Sequence, residues 1–160
     1  MRTTYFHAIT VSEPYASLLA CGAKWVENRC QWNYMHRGLL AIHAGKGTQY
    51  IDKETLRRDY PYTGHIIAVG KLLSVFDLEK LRTLGPDIPL YRTATVRLTV
   101  GDVLAHEHTE GPVCLIFLPG SLIPLPKPIP CRGKQGIWLV SELAGRMLDE
   151  QLTAIRETPR

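Results

Sequence analysis

Two cations, Lys24 and Arg29, flank one carboxylate, Glu27, within six residues. A lysine and a glutamate that meet offer a cation for a phosphate and a carboxylate that accepts a base amino proton. Side chains alternate across an ideal strand, so Lys24 and Glu27 would point to opposite faces unless the chain twists near Lys24. Arg29 would hold Glu27 in place or contact phosphate itself. The alternative is a cross-strand ion pair on the surface, contributing under about 1 kcal/mol. Farther on, His43 closes an apolar run, as a hydrogen-bonded, half-buried imidazole or as a ligand contact. Lys134 lies between Gly133 and Gly136, where small neighbours let the backbone approach a ligand; otherwise it is a plain turn lysine. Trp25 and Trp32 are candidate stacking platforms, whereas Trp138 reads as core.

Other chemistries find little support. The stretch His43–Thr48 (HAGKGT) lacks the spacing of a phosphate-binding loop. His106, Glu107, His108 and Glu110 make a dense polar patch, but the second histidine follows too soon for an HExxH zinc site. That patch reads as a solvated loop, and no metal or other cofactor is expected. Cys21 and Cys30 have no histidine at a diagnostic spacing for a nucleophile, and no CxxC occurs. The four cysteines are expected as reduced thiols.

Charge is unevenly spread. The chain of 160 residues has a formal charge of +4, a mild excess that permits a polyanionic partner without demanding one. From Lys24 to Lys46 it carries Lys24, Arg29, Arg37 and Lys46 against Glu27 alone, with Tyr34 and two tryptophans interleaved. Lys127, Arg132 and Lys134 form a second basic run without carboxylates. Cations neutralise phosphates and flat rings stack on bases, a mixture suited to single-stranded nucleic acid. Surface lysines and core aromatics would produce the same composition. The longest apolar run, Val113–Leu118, is far short of the roughly 20 residues that span a bilayer. With no secretory signal visible near Met1, a cytoplasmic protein that does not engage membranes is expected.

The elements that must position these residues can be read in order. Phe6–Val11 predicts a strand, followed by a short helix with Ser12 as N-cap, Pro14 in its first turn and Gly22 as its stop. Lys24–Arg29 and Leu39–Ala44 predict strands, and Thr48–Arg58 a short helix capped by Thr48. Ile66–Phe76 predicts a long strand with a bend or bulge at Gly70. Thr93–Val100 alternates as a strand does, and Val113–Leu118 is a buried one. Thr83–Tyr91 predicts a long loop. Leu122–Pro130, rich in proline, predicts an extended, rigid connection. Gly136–Val140 is a last strand. Ser141 caps a closing helix whose apolar stripe is Leu143, Met147, Leu148, Leu152 and Ile155. Short strands interrupted by two or three helices predict a small mixed α+β barrel, a single domain over residues 1–160.

The order of these pieces resembles the ASCH domain, the activating signal cointegrator homology module of the PUA-like superfamily. The resembling residues are Pro14, then Gly22, Lys24, Glu27 and Arg29, then Arg37 and Gly38 leading to Ile42, His43 and Ala44. Downstream, Gly64 and Gly70 match a glycine-punctuated central strand. Gly133, Lys134, Gly136 and Trp138 match a closing segment. The resemblance implies a PUA-like barrel of about six strands with two or three flanking helices. It also implies a cleft between the first helix and the sheet for nucleic acid or nucleotide ligands.

Three functions follow. The leading one is a binding module for RNA or single-stranded DNA, or a nucleoside-like base presented from it. Its contacts would come from Lys24, Trp25, Glu27, Arg29, Trp32, His43 and Lys134. The second is a hydrolase with Lys24 and Glu27 as catalytic groups. Relatives in the superfamily remove N4-acyl groups from cytidine with a lysine matching Lys24 and a threonine three residues later, where this chain has Glu27. A carboxylate favours the ammonium form of a neighbouring lysine, which argues against an amidohydrolase but leaves a ribonuclease open. The third is an adaptor with a protein partner, for which the sequence offers no separate exposed amphipathic helix.

Overall fold

The computed structural model describes residues 4–158, in which nine strands and five helices form an α+β fold. β1 (His7–Ser12), β2 (Val26–Arg29), β3 (Gly38–Gly45), β4 (His65–Asp77), β7 (Val113–Phe117), β8 (Ile123–Pro130) and β9 (Ile137–Leu139) make one seven-stranded sheet. β5 (Pro89–Arg92) and β6 (Arg97–Thr99) pair as a separate two-stranded sheet. The main order is β2-β7-β4-β3-β1-β9, with β8 joined to β4. All its ladders are antiparallel except β1 with β3. β2 and β9 end this path without pairing to each other, so the expected barrel is not closed by hydrogen bonds.

The long strand β4 is the hub. One side pairs with β3 over His65–Leu72, while the other pairs with β8 over its first part and β7 over its last. Gly70 sits at this change of partner. A Cβ there would lie 2.6 Å from Leu122 Cδ2 and 3.0 Å from Phe117 Cδ1, so close packing explains the glycine. The register irregularities fall on either side of it, at Ile66/Ala68 and Leu72/Ser74, rather than at the glycine itself.

Several local expectations change. Ser12 ends β1, and α1 runs from Tyr15 to Ala20. Glu13 takes the capping work, its carboxylate accepting from the Ser17 N–H and hydroxyl, both at 2.9 Å. α2 is Lys53–Asp59, capped by Asp52 instead of Thr48, because Asp52 reaches the N–H groups of Glu54 and Thr55. The proline-rich segment expected as a connection is instead a paired strand, with Pro130 opposite His65 and Pro124 opposite Ala68 in its ladder to β4. β5 begins within the expected loop, while the expected strand at 93–100 is cut to β6 and turns at Thr99 into α4 (Val100–Ala105). A capping box between Thr99 and Asp102 starts that helix.

Three apolar clusters fill the interior. The first lies between α1 and the sheet, around Ile9, Leu19, Ile42 and Phe117. The second packs α5 (Glu142–Glu157) on Phe6, Ile66, Ile129 and Trp138. α5 buries Ala144, Leu148 and Leu152, which repeat every four residues, and leaves Leu143 65% exposed. Leu143 and Met147 lie one residue back, about 100° around the helix, and so face outward from the stripe expected of them. The third cluster joins α3 (Leu78–Arg82) and α4 to β2 and β7 through Leu78, Leu81, Val103 and Ile116. No helix among the described residues is long and apolar enough to cross a membrane.

Candidate functional site

Gly22 ends α1 with φ at +78°, a conformation that costs glycine little. The Lys24 N–H then donates to the Leu18 carbonyl, folding the chain back beneath the helix before β2 begins. Lys24 therefore precedes the strand, escapes its alternation and meets Glu27. Its Nζ donates to Glu27 Oε2 at 2.9 Å and to the Val26 carbonyl at 2.7 Å. Only 2% of Lys24 is exposed, and the Tyr15 ring centroid lies 5.0 Å from the ammonium. Two of its three protons thus have protein acceptors.

Arg29 approaches Glu27 from the other side. Its Nε lies 3.4 Å from Glu27 Oε1, an ion pair without hydrogen-bond alignment, and its Nη2 donates to the Thr10 carbonyl at 2.8 Å. One buried carboxylate thus stands between two cations, and Arg29 ties β2 to β1. Taking a lysine and a glutamate out of water costs several kcal/mol per ion unless each is paired and hydrogen-bonded. Here each is.

This triad lines a cleft of about 440 Å³. Tyr15 and Tyr50, ring centroids 5.0 Å apart and edge to face, form one wall. His108 and Glu110 form another. The second wall is pinned by Asn28, whose amide donates to the His108 carbonyl at 2.8 Å. Its oxygen accepts from the N–H groups of Glu110 and Gly111 at 3.0 and 2.9 Å. Charges in the cleft balance formally, Lys24 and Arg29 against Glu27 and Glu110.

The other residues singled out in the sequence are placed differently. Trp25 lies outside the cleft, its ring stacked on His106 at 4.3 Å, and it packs against two of the apolar clusters. The platform expected of it is therefore already covered on one face. Trp32 lines a neighbouring cavity of about 430 Å³ with Arg29, Tyr34 and Gln135. Its indole N–H is buried without an acceptor among the described residues. His43 and Lys134 line a third cavity of about 750 Å³. His43 is 3% exposed and its Nε2 lies 3.0 Å from the Cys131 carbonyl, which fixes Nε2 as the donor. Burial lowers its pKa from the ordinary histidine value, with the charges of His65 and Lys46 adding to the effect. Gly133 packs directly on this ring. A Cβ at Gly133 would lie 2.6 Å from His43 Nδ1 and 2.7 Å from Thr10 Oγ1. His43 thus seats the loop that carries Lys134.

Residues not singled out in the sequence include Asn28 and Tyr50. His106, Glu107, His108 and Glu110, read as a solvated loop, supply a cleft wall through His108 and Glu110 and a ring for Trp25 through His106. No group of three or more metal-ligating side chains is placed to hold an ion among the described residues. Trp138 is core, as expected, with its indole N–H 3.3 Å from Thr10 Oγ1.

The helix-backed sheet, though not its site, has counterparts among solved ASCH structures. The chain superposes on ASCH from Zymomonas mobilis with a TM-score of 0.51 and 15% identity, over 90% of this chain and 93% of that one. Against a tyrosine-to-phenylalanine variant of the same protein the TM-score is 0.52 at 15% identity, over 93% and 98%. No family profile matches the sequence, and no curated protein matches it. The chain has the ASCH-domain fold.

Proposed function

We propose that the chain is a binding module for RNA or single-stranded DNA that takes one unstacked base into the Lys24 cleft. The carrying observation is the buried Lys24–Glu27 pair on the cleft floor, which sets an uncommitted ammonium proton beside carboxylate lone pairs. A donor next to an acceptor complements a nucleobase edge, where a ring nitrogen or carbonyl adjoins an N–H. Tyr15 and Tyr50 supply apolar walls for a flat ring. The balanced charge suits an uncharged heterocycle better than a phosphate, and the cleft volume falls within the range of small-molecule sites.

A hydrolase built on Lys24 as nucleophile fits less well. Its nitrogen is occupied as a donor to Glu27 and Val26, so no lone pair is presented to a substrate. Fluorescence titration with short labelled single-stranded RNA and DNA tests the reading. Lys24→Met, which keeps the stem volume, is expected to weaken binding at least about tenfold, as losing a charged hydrogen bond would. Tyr50→Ala, a change at an exposed wall residue, is expected to weaken it with an unchanged unfolding midpoint. Failure of the wild-type protein to retain any single-stranded oligonucleotide overturns the proposal. Cleavage of labelled RNA, or release of acetate from N4-acetylcytidine, that disappears in Lys24→Met replaces the module with an enzyme.

A further inference from the structure

The three cavities around β1 and β2 share their walls. Arg29 and Gln31 line both the Lys24 cleft and the Trp32 cavity. Gln135 lines both the Trp32 cavity and the His43 cavity, and Thr10 lines both the His43 cavity and the Lys24 cleft. They are therefore neighbouring parts of one recessed surface, and their chemistry changes along it. The Lys24 cleft has balanced charge and tyrosine walls. The middle part has Trp32 edge to face with Tyr34, ring centroids 4.9 Å apart, and an indole N–H lacking an acceptor. The last part has Lys46, Arg132 and Lys134 in its lining and no carboxylate.

Those three cations are exposed, and none is within ion-pair distance of a carboxylate among the described residues. Their placement is specified by packing. Gly133, between Arg132 and Lys134, is pressed against His43 and Thr10, while the Lys46 stem crosses Gly64. Two separate loops thereby bring their cations to one cavity.

We infer that the Lys46–Arg132–Lys134 cavity holds backbone phosphates of the same strand whose base occupies the Lys24 cleft, with the intervening sugar and base crossing Trp32. The preferred ligand is accordingly an oligonucleotide, and the basic cavity supplies its salt-dependent affinity. This rests on the base-binding reading of the Lys24 cleft and extends it to a strand path. An anion here gains from several donors that lack competing carboxylates, whereas the Lys24 cleft would gain little from one.

The test uses a fluorescein-labelled ten-residue mixed-sequence RNA and its DNA counterpart, titrated across a salt series. The proteins are the wild type and a variant carrying Lys46→Ala, Arg132→Ala and Lys134→Ala. A matched variant carrying Lys127→Ala, Arg146→Ala and Arg156→Ala removes the same charge away from the recess. The first variant is expected to bind at least about tenfold more weakly, with a log affinity against log salt slope shallower by about 2 for three lost phosphate contacts. The matched variant is expected to keep the wild-type slope. Equal affinity and slope for wild type and first variant overturn the phosphate path while leaving the base cleft standing. An equal loss of slope in the matched variant also overturns it, since the effect would then be general charge. If the wild type binds neither strand, both proposals fall. Lys134→Glu alone, at an exposed position, is expected to weaken binding without moving the unfolding midpoint, and unchanged binding counts against the path.

Discussion

Glu27 is the residue on which the cleft depends, because it meets the charge of a lysine that is 98% out of contact with water by its 2% exposure. Replacing it with leucine would leave the Lys24 ammonium, among the described residues, with the Val26 carbonyl and the Tyr15 face as partners. Stranding a buried charge in this way costs about 3–5 kcal/mol. Chemical denaturation of Glu27→Leu is expected to read a loss of that size. Adding Lys24→Met to Glu27→Leu is expected to recover most of it, because a buried pair replaced by apolar groups is often near neutral. Recovery of stability without recovery of oligonucleotide binding separates the pair's chemical role from its structural one. The pairing was half legible from the sequence. The types and spacing were plain, but the twist that joins them comes from the left-handed Gly22 and the bond from Lys24 N–H to Leu18.

Among the elements, the segment between β8 and β9 carries the most consequence per residue. Gly133 lies against the His43 ring and Thr10 where any Cβ would collide, and both neighbours belong to central strands. Neither can retreat easily. Gly133→Ala is expected to cost about 1–3 kcal/mol through overpacking. It should also lift Arg132 and Lys134 away from β3. Thermal unfolding reads the first effect and oligonucleotide titration the second, with weaker binding expected where the protein remains folded. Sequence periodicity revealed β3, β4 and β7 because their apolar runs are long and branched. It missed α3, α4 and β5, which have only 5, 6 and 4 residues and are held by caps and the third apolar cluster. Elements that short are stabilised mainly by tertiary packing.

At the scale of the whole molecule, stability depends on pH through two buried groups of opposite sign. Burial lowers the pKa of His43, so between that lowered value and the ordinary 6.5 the unfolded chain binds more protons than the folded one. Stability from keeping His43 neutral is full above 6.5 and is lost as pH falls through this window. Burial raises the pKa of Glu13, partly offset by its bonds from Ser17. Glu13 therefore costs stability as pH rises from its ordinary 4.5 through the raised value, and that cost disappears on acidification. Comparing wild type with His43→Gln isolates the histidine. The wild type is expected to lose more stability than the variant between pH 7 and 5, measured as unfolding free energy. Parallel pH profiles would contradict this account.

The sequence by itself determined which residue types were available: the Lys24, Glu27 and Arg29 set, the carboxylate-free run at Arg132 and Lys134, and the stop at Gly22. It also determined an α+β class, since the apolar periods of strands and of α5 are local properties of the chain. Only the tertiary structure decided that His43 and Lys134 stand in a different cavity from Lys24, that Trp25 is covered by His106, and that Asn28 fastens the His108 wall. These are contacts between residues as much as 90 positions apart, as with Gly133 and His43, or 81 apart, as with Trp25 and His106. Spacing along a chain encodes the face a side chain takes on its own element. It does not encode which distant surface that face will meet, because strand order and loop packing set that distance.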